Sequence, residues 1–86
     1  MERDHIKEVV TKYLARAIDG DASAIDTSQS MKDLGANSLD IVEVVSASMR
    51  ELKVKVPRDQ LNKLTNIDEL VDLLHKSVQE KESAAG

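Results

Sequence analysis

The chain has no cysteine, no tryptophan and no phenylalanine, and only one tyrosine and one proline among its 86 residues. Without cysteine there is no disulfide framework, no thiolate nucleophile and no cysteine metal site, a composition that fits a reducing compartment. No apolar run approaches the ~20 residues that a membrane-spanning helix needs, and the opening Met1-Glu2-Arg3-Asp4-His5 is charged rather than signal-like. A cytoplasmic domain is expected, neither exported by a signal peptide nor anchored. An excess of positive charge is also missing. Sixteen acids against 12 bases leave a formal net charge of -4, which repels nucleic-acid phosphates and fits a partner that presents Lys or Arg. A chain this short hides only about 60% of the surface its unfolded form exposes. One small core is therefore expected, with no deep cleft and no enzyme-like buried active site.

What the chain does have is helical periodicity. From Asp4 to Asp19 the residues Ile6, Val9, Val10, Tyr13, Leu14, Ala17 and Ile18 recur at steps of three and four, lining one helix face. Gly20 stands where a left-handed cap would end that helix. Asp21 to Lys32 is rich in Asp, Ser and Thr, and is expected to be a long loop pinned to the core by Ile25. A second helix is predicted from about Ser38 to Leu52, with Val42, Val45, Met49 and Leu52 as its buried stripe and Ile41, Val44 and Ser48 on a neighbouring face. Lys53-Val54-Lys55-Val56 alternates like a strand but has no second strand to pair with, and Pro57 is expected to open a short helical turn through Leu64. The last helix starts at Thr65 or Asn66, each with an acid three residues on (Asp68, Glu69) as a capping box requires, and buries Ile67, Leu70, Val71, Leu74 and Val78.

The predicted fold is all-α: a small bundle of three main helices plus one short helix, with a long loop between the first and second helices. The bundle spans residues 1–78, and 79–86 form a flexible polar tail. A loop of this length fits a helix pair that runs parallel. The core of Val, Ile and Leu, with Tyr13 as its sole aromatic, describes first of all an ordinary small bundle, and only as a second reading one that parts to admit an alkyl chain.

The most informative stretch is Asp33-Leu34-Gly35-Ala36-Asn37-Ser38-Leu39-Asp40. Gly35 permits a positive φ and places no side chain over Ser38. Ser38 then opens a helix, where free backbone N–H groups and the macrodipole favour an attached anion such as a phosphodiester. No base stands near Ser38 in sequence, and His5 and His75 lie toward opposite ends of the chain. The hydroxyl is thus expected to accept a group in a reaction another enzyme catalyses, rather than to act as a nucleophile of its own. Asn37 with Asp40 is also what a plain helix start looks like.

The run from Asp33 through Glu43 resembles the phosphopantetheine attachment region of acyl carrier proteins, usually written D-L-G-x-D-S-L-D-x-V-E. The order of helices and loop extends the likeness over Asp4 to Val78. The resemblance implies no catalytic residue and no resident metal. Ser38 would receive 4'-phosphopantetheine from coenzyme A through a phosphopantetheinyl transferase that supplies its own magnesium, with Gly35, Asn37 and Asp40 beside it. Asp40 would contact the transferase or that metal. Acyl groups would ride as thioesters on the arm, giving each partner enzyme a high effective concentration of substrate. The expected partner surface is Leu39, Ile41 and Glu43, with Met49 and Arg50 further along, in a monomer with no nucleic-acid or membrane partner.

Two departures narrow the expectation. Asn37 stands where the motif commonly has Asp. Leu39 to Leu64 holds four acids and five bases, a local balance of +1, unlike the acidic serine helix of bacterial fatty acid carriers. The Gly-Ala-Asn-Ser-Leu-Asp string is similar to polyketide-type carriers, including free-standing donors that feed a hydroxymethylglutaryl-type synthase in β-branching cassettes. Ketosynthase, acyltransferase or such a synthase would then be partners, chosen by shape and specific pairs. The alternatives are a peptidyl carrier, whose serine more often follows histidine, and an unmodified helical adaptor docking through Leu39, Ile41 and Met49. A DNA-binding role is disfavoured, because Arg50, Lys53, Lys55 and Arg58 straddle a helix end and Pro57.

Overall fold

In a computed structural model, which describes residues 2–61 and 63–85, helices α1 (Arg3–Ile18), α2 (Ser38–Leu52), α3 (Arg58–Leu61) and α4 (Ile67–Ala85) follow in order, with a 3-10 turn at Ala22–Ala24. The described residues contain no strand. Helix α1 packs on both α2 and α4. Ile6, Val10 and Leu14 of α1, Val44 of α2, and Ile67, Leu70, Val71 and Leu74 of α4 are almost wholly removed from water. Each such side chain contributes about 1.5–3 kcal/mol of burial. Of the three buried polar residues, Thr11, Thr27 and Ser48, two satisfy their hydroxyls on the preceding turn of their own helix. The Thr11 hydroxyl donates to the Lys7 carbonyl at 2.9 Å and that of Ser48 to the Val44 carbonyl at 2.8 Å.

Ser48 explains why the buried stripe of α2 differs from the one its spacing predicted. Val44, Val45, Ser48 and Leu52 face the core, whereas Val42, expected inside, is 54% exposed. A serine that satisfies itself on the preceding turn behaves as a small core residue, so the helix is rotated toward Val44.

Three side-chain contacts set which helix ends meet. Arg3, at the start of α1, pairs with Asp72 (2.5 Å) and Asp68 (3.5 Å) in the first turns of α4. Lys12 and Tyr13, in the second half of α1, both reach Glu51 near the end of α2, at 2.8 and 2.6 Å. Lys81 donates to the carbonyl of Lys53, just past α2. Like ends thus lie together, which is what the long α1–α2 connection permits.

That connection is polar but well tied. Asp21 accepts from the N–H and hydroxyl of Ser23, and Asp26 from those of Ser28, two side-chain turns of the kind short acids favour. These bonds hold both carboxyls below the usual carboxylate range. The carbonyls of Thr27 and Gln29 take the N–H groups of Asp68 and Ile67 at 2.9 and 3.0 Å, so the loop satisfies donors that the start of α4 leaves free. Ile25 packs against the core as expected, joined by Met31 and Leu34.

Three boundaries differ from expectation. Helix α1 is closed by Asp19 in the left-handed conformation (φ 54), not by Gly20; aspartate is among the few side chains that tolerate it. Pro57 precedes only the one helical turn Arg58–Leu61, beyond which the N–H groups of Lys63 and Leu64 donate to the carbonyls of Gln60 and Leu61. Helix α4 runs on to Ala85, through residues expected to form a tail. Glu, Lys, Gln and Ala are strong helix formers, and Lys81 is tethered, although residues 79–82 are exposed. At its other end Asn66 accepts from the N–H of Glu69, while the Glu69 carboxylate takes the N–H and hydroxyl of Thr65.

Candidate functional site

The loop reaches α2 through a turn at 31–36. Gly35 has φ 99, a value that side-chain-bearing residues rarely adopt. A Cβ there would meet no atom within 4 Å, so backbone conformation, not crowding, demands glycine. Ala36, 3% exposed, docks the turn into the core, and its N–H donates to the Met31 carbonyl at 3.0 Å.

Asn37 then caps α2. Its side-chain oxygen accepts from the Asp40 N–H at 2.8 Å, and the Asp40 carboxylate accepts from the Asn37 N–H at 3.1 Å, a complete capping box. Ser38 follows, exposed. Its hydroxyl makes no hydrogen bond among the described residues, and no acceptor there takes the N–H of Ser38 or Leu39. A hydroxyl with no base on it is not an activated nucleophile. Beside it sit unused helix-start donors, which suit a negatively charged phosphodiester.

From Ser38 one side of α2 leads into a groove of about 670 Å³. At about 100° per residue, Ser38, Val42, Val45 and Met49 fall within about 60° of one another. The last three, with Ile41, form one wall; Val56, Leu61, Leu64 and Leu70 form the other, and Ser30, Met31 and Lys32 of the loop border it.

The residues expected to meet partners divide. Leu39 (80% exposed), Glu43 and Arg50 share an outward face of α2, and Arg50 has no ion pair among the described residues. Ile41 and Met49 are half-buried and line the groove instead. Asp40 is held by the cap. Neither the groove nor the exposure of Val42 beside it was legible, since three segments distant in sequence enclose the space. Among the described residues no cluster of His, Asp or Glu is arranged to hold a metal ion.

Comparison with known proteins identifies the family. Residues 8–74 match the family model described as phosphopantetheine attachment site. An acyl carrier protein of Campylobacter jejuni subsp. jejuni is 37% identical over 71 residues, covering 83% of this chain and 88% of the relative. The acyl carrier protein of Campylobacter curvus is 34% identical over 73 residues, covering 85% and 91%. The polyketide biosynthesis acyl-carrier-protein AcpK of Bacillus subtilis is 29% identical over 80 residues, covering 92% and 98%.

The chain therefore belongs to the phosphopantetheine-binding acyl carrier protein family. It is a carrier and not a catalyst, its cofactor is covalently bound 4'-phosphopantetheine, and it works with a phosphopantetheinyl transferase and with biosynthetic enzymes. No helix among the described residues is long and apolar enough to cross a membrane.

Proposed function

We propose that Ser38 is the attachment residue and that the domain carries intermediates of polyketide-type assembly. The observation that carries this reading is the unbonded, exposed Ser38 hydroxyl at the head of the α2 face that runs into the groove. Attachment joins the Ser38 oxygen to phosphorus as the pyrophosphate linkage of coenzyme A breaks and adenosine 3',5'-bisphosphate leaves, and the transferase provides the base that this site lacks. Gly35 shapes the approach, Asn37 and Asp40 hold the first turn, and the N–H groups of Ser38 and Leu39 face the new phosphodiester. The arm then presents its thioester to partners, and a short acyl chain folds back into the groove.

The finer assignment rests on charge and on a relative. Four acids and five bases between Leu39 and Leu64, with Glu51 already engaged by Lys12 and Tyr13, leave the serine helix short of negative charge for a generic basic patch. The similarity to AcpK, named for polyketide biosynthesis, supports the same reading. Partners are then a ketosynthase, an acyltransferase or a hydroxymethylglutaryl-type synthase, met in the cytoplasm through Leu39, Glu43 and Arg50. Coenzyme A with a promiscuous transferase should add one phosphopantetheine mass to the wild type and none to Ser38→Ala at unchanged helical content. A wild type that stays unmodified overturns the reading in favour of an adaptor. Exclusive aminoacylation of the loaded form would move it to the peptidyl carriers.

A further inference from the structure

The groove is apolar on its walls but not throughout. Three of its lining residues, Ser30, Ser46 and Asn66, are half-buried and carry donor hydrogens that no acceptor among the described residues takes. Ser30 accepts from the Asp33 N–H at 3.0 Å and gives its own hydrogen to nothing. Asn66 spends its oxygen on the Glu69 N–H at 2.8 Å, leaving its NH2 group without a partner. The Ser46 hydroxyl makes no hydrogen bond at all among the described residues. Neighbouring groups behave differently. Thr65 gives its hydroxyl to Glu69, and Ser48, two residues on from Ser46, gives its own to Val44. Unspent donors thus gather where an occupant would lie.

A saturated chain entering this space would strip water from those donors and offer them no acceptor of its own. A chain with carbonyl or hydroxyl oxygens would replace that water bond for bond. Ser46 stands eight residues after Ser38, about 12 Å along α2, too far to serve the phosphodiester and well placed for what hangs from the arm. When an alkyl chain covers it, Ser46 can turn to the Val42 carbonyl one helical turn back, as Ser48 does to Val44, so discrimination comes from gain with an oxygenated chain more than from exclusion of an alkyl one.

We infer that the groove prefers an acyl chain bearing oxygen acceptors to a saturated one, with Ser46 and Asn66 as the specificity-determining residues and Ser30 assisting. This rests on the carrier reading above and names the class of cargo.

The test uses a promiscuous transferase to load octanoyl, 3-hydroxyoctanoyl and 7-oxooctanoyl pantetheine from the corresponding coenzyme A thioesters. For each, the rate of thioester cleavage by hydroxylamine is divided by that of the free pantetheine thioester. At least one oxygenated chain should be cleaved roughly 2- to 10-fold more slowly than octanoyl on this scale, with shifts in the amide signals of Ser30, Ser46 and Asn66. Ser46→Ala and Asn66→Asp should each shrink that surplus. The second keeps the oxygen that caps α4 while removing the donors, so it tests the groove without unfolding the helix start. Octanoyl protected as well as both oxygenated chains, a surplus untouched by both variants, or the same amide shifts from the arm without any acyl group would each overturn the inference while leaving the carrier reading intact. Failure of any arm to attach would overturn the carrier reading itself, and the cargo assignment with it.

Discussion

The two ends of α2 are built on opposite terms. At its start, Asn37 and Asp40 hold each other through a cap spanning three residues, Gly35 turns the chain into it with φ 99, and Ser38 is exposed. At its end, Ser48 and Leu52 are buried, and Glu51 is gripped by Lys12 and Tyr13 of another helix. One end is organised locally and left open; the other is organised by packing and closed. As the proposed attachment residue, Ser38 on this locally determined turn can be handled by many enzymes without disturbing the core, because its exposed side chain takes no part in the core. The same division predicts that damage at either end should be separable by assay.

The sharpest break between the ends is Ser38→Ala against Leu52→Ala. The first should abolish phosphopantetheine loading, read by intact mass, with a melting temperature within error of wild type. The second should cost about 2–5 kcal/mol in chemical denaturation yet still be loaded wherever the protein is folded. Equal loss of loading and stability in both variants would erase the distinction.

A smaller effect is expected from the cap. Asn37→Ala removes the acceptor for the Asp40 N–H and should cost about 1 kcal/mol, whereas Asn37→Asp keeps that acceptor and should lie close to wild type in the same denaturation series. Gly35→Ala meets open space but must adopt φ near 99, and a loss of about 1 kcal/mol is expected from conformation alone. A fully stable Gly35→Ala would mean that the turn can relax.

The mildest test lies at the closed end. The Lys12 ammonium, and then the Tyr13 hydroxyl, hold the Glu51 carboxyl below its ordinary value of 4.5. A lowered folded-state pKa contributes stability above the unfolded value, and that contribution disappears as pH falls through the folded one. Glu51→Gln should therefore be slightly less stable than wild type at neutral pH, with the difference closing below about pH 4.5. A gap that persists unchanged to lower pH would assign the effect to packing instead. Charge reversal at Arg50 bears on the outward face between these ends: it should slow turnover with the true partner and leave transferase loading nearly intact. Equal loss in both assays would mean that the helix itself had been damaged.

Legibility in the sequence followed the same line. The Asn37–Asp40 cap, the positive φ at Gly35 and the start of α2 at Ser38 could be read directly, and the cap of α4 could be narrowed to Thr65 or Asn66, since each involves residues at most four apart. The orientation of α2 could not. Spacing alone favoured Val42 over Ser48 for the interior, and only the neighbouring helices select between two adjacent faces of similar apolarity. The closure of α1 at Asp19 rather than Gly20 turned on one residue of helix length, which both sequences of events satisfy locally. Helix α4 outlasted its apolar stripe because propensity and the Lys81 tether do not register as hydrophobic periodicity.

Unaided, the order of residues determined the number of helices and where the main ones begin, and it singled out the serine we propose for attachment, because turns, caps and amphipathic patterns are short-range physics. Tertiary structure alone decided which face of α2 is buried, that Val42 remains outside, and that Ser30, Ser46 and Asn66 border one groove. Those outcomes depend on how segments tens of residues apart divide a shared volume, and no local pattern encodes that division.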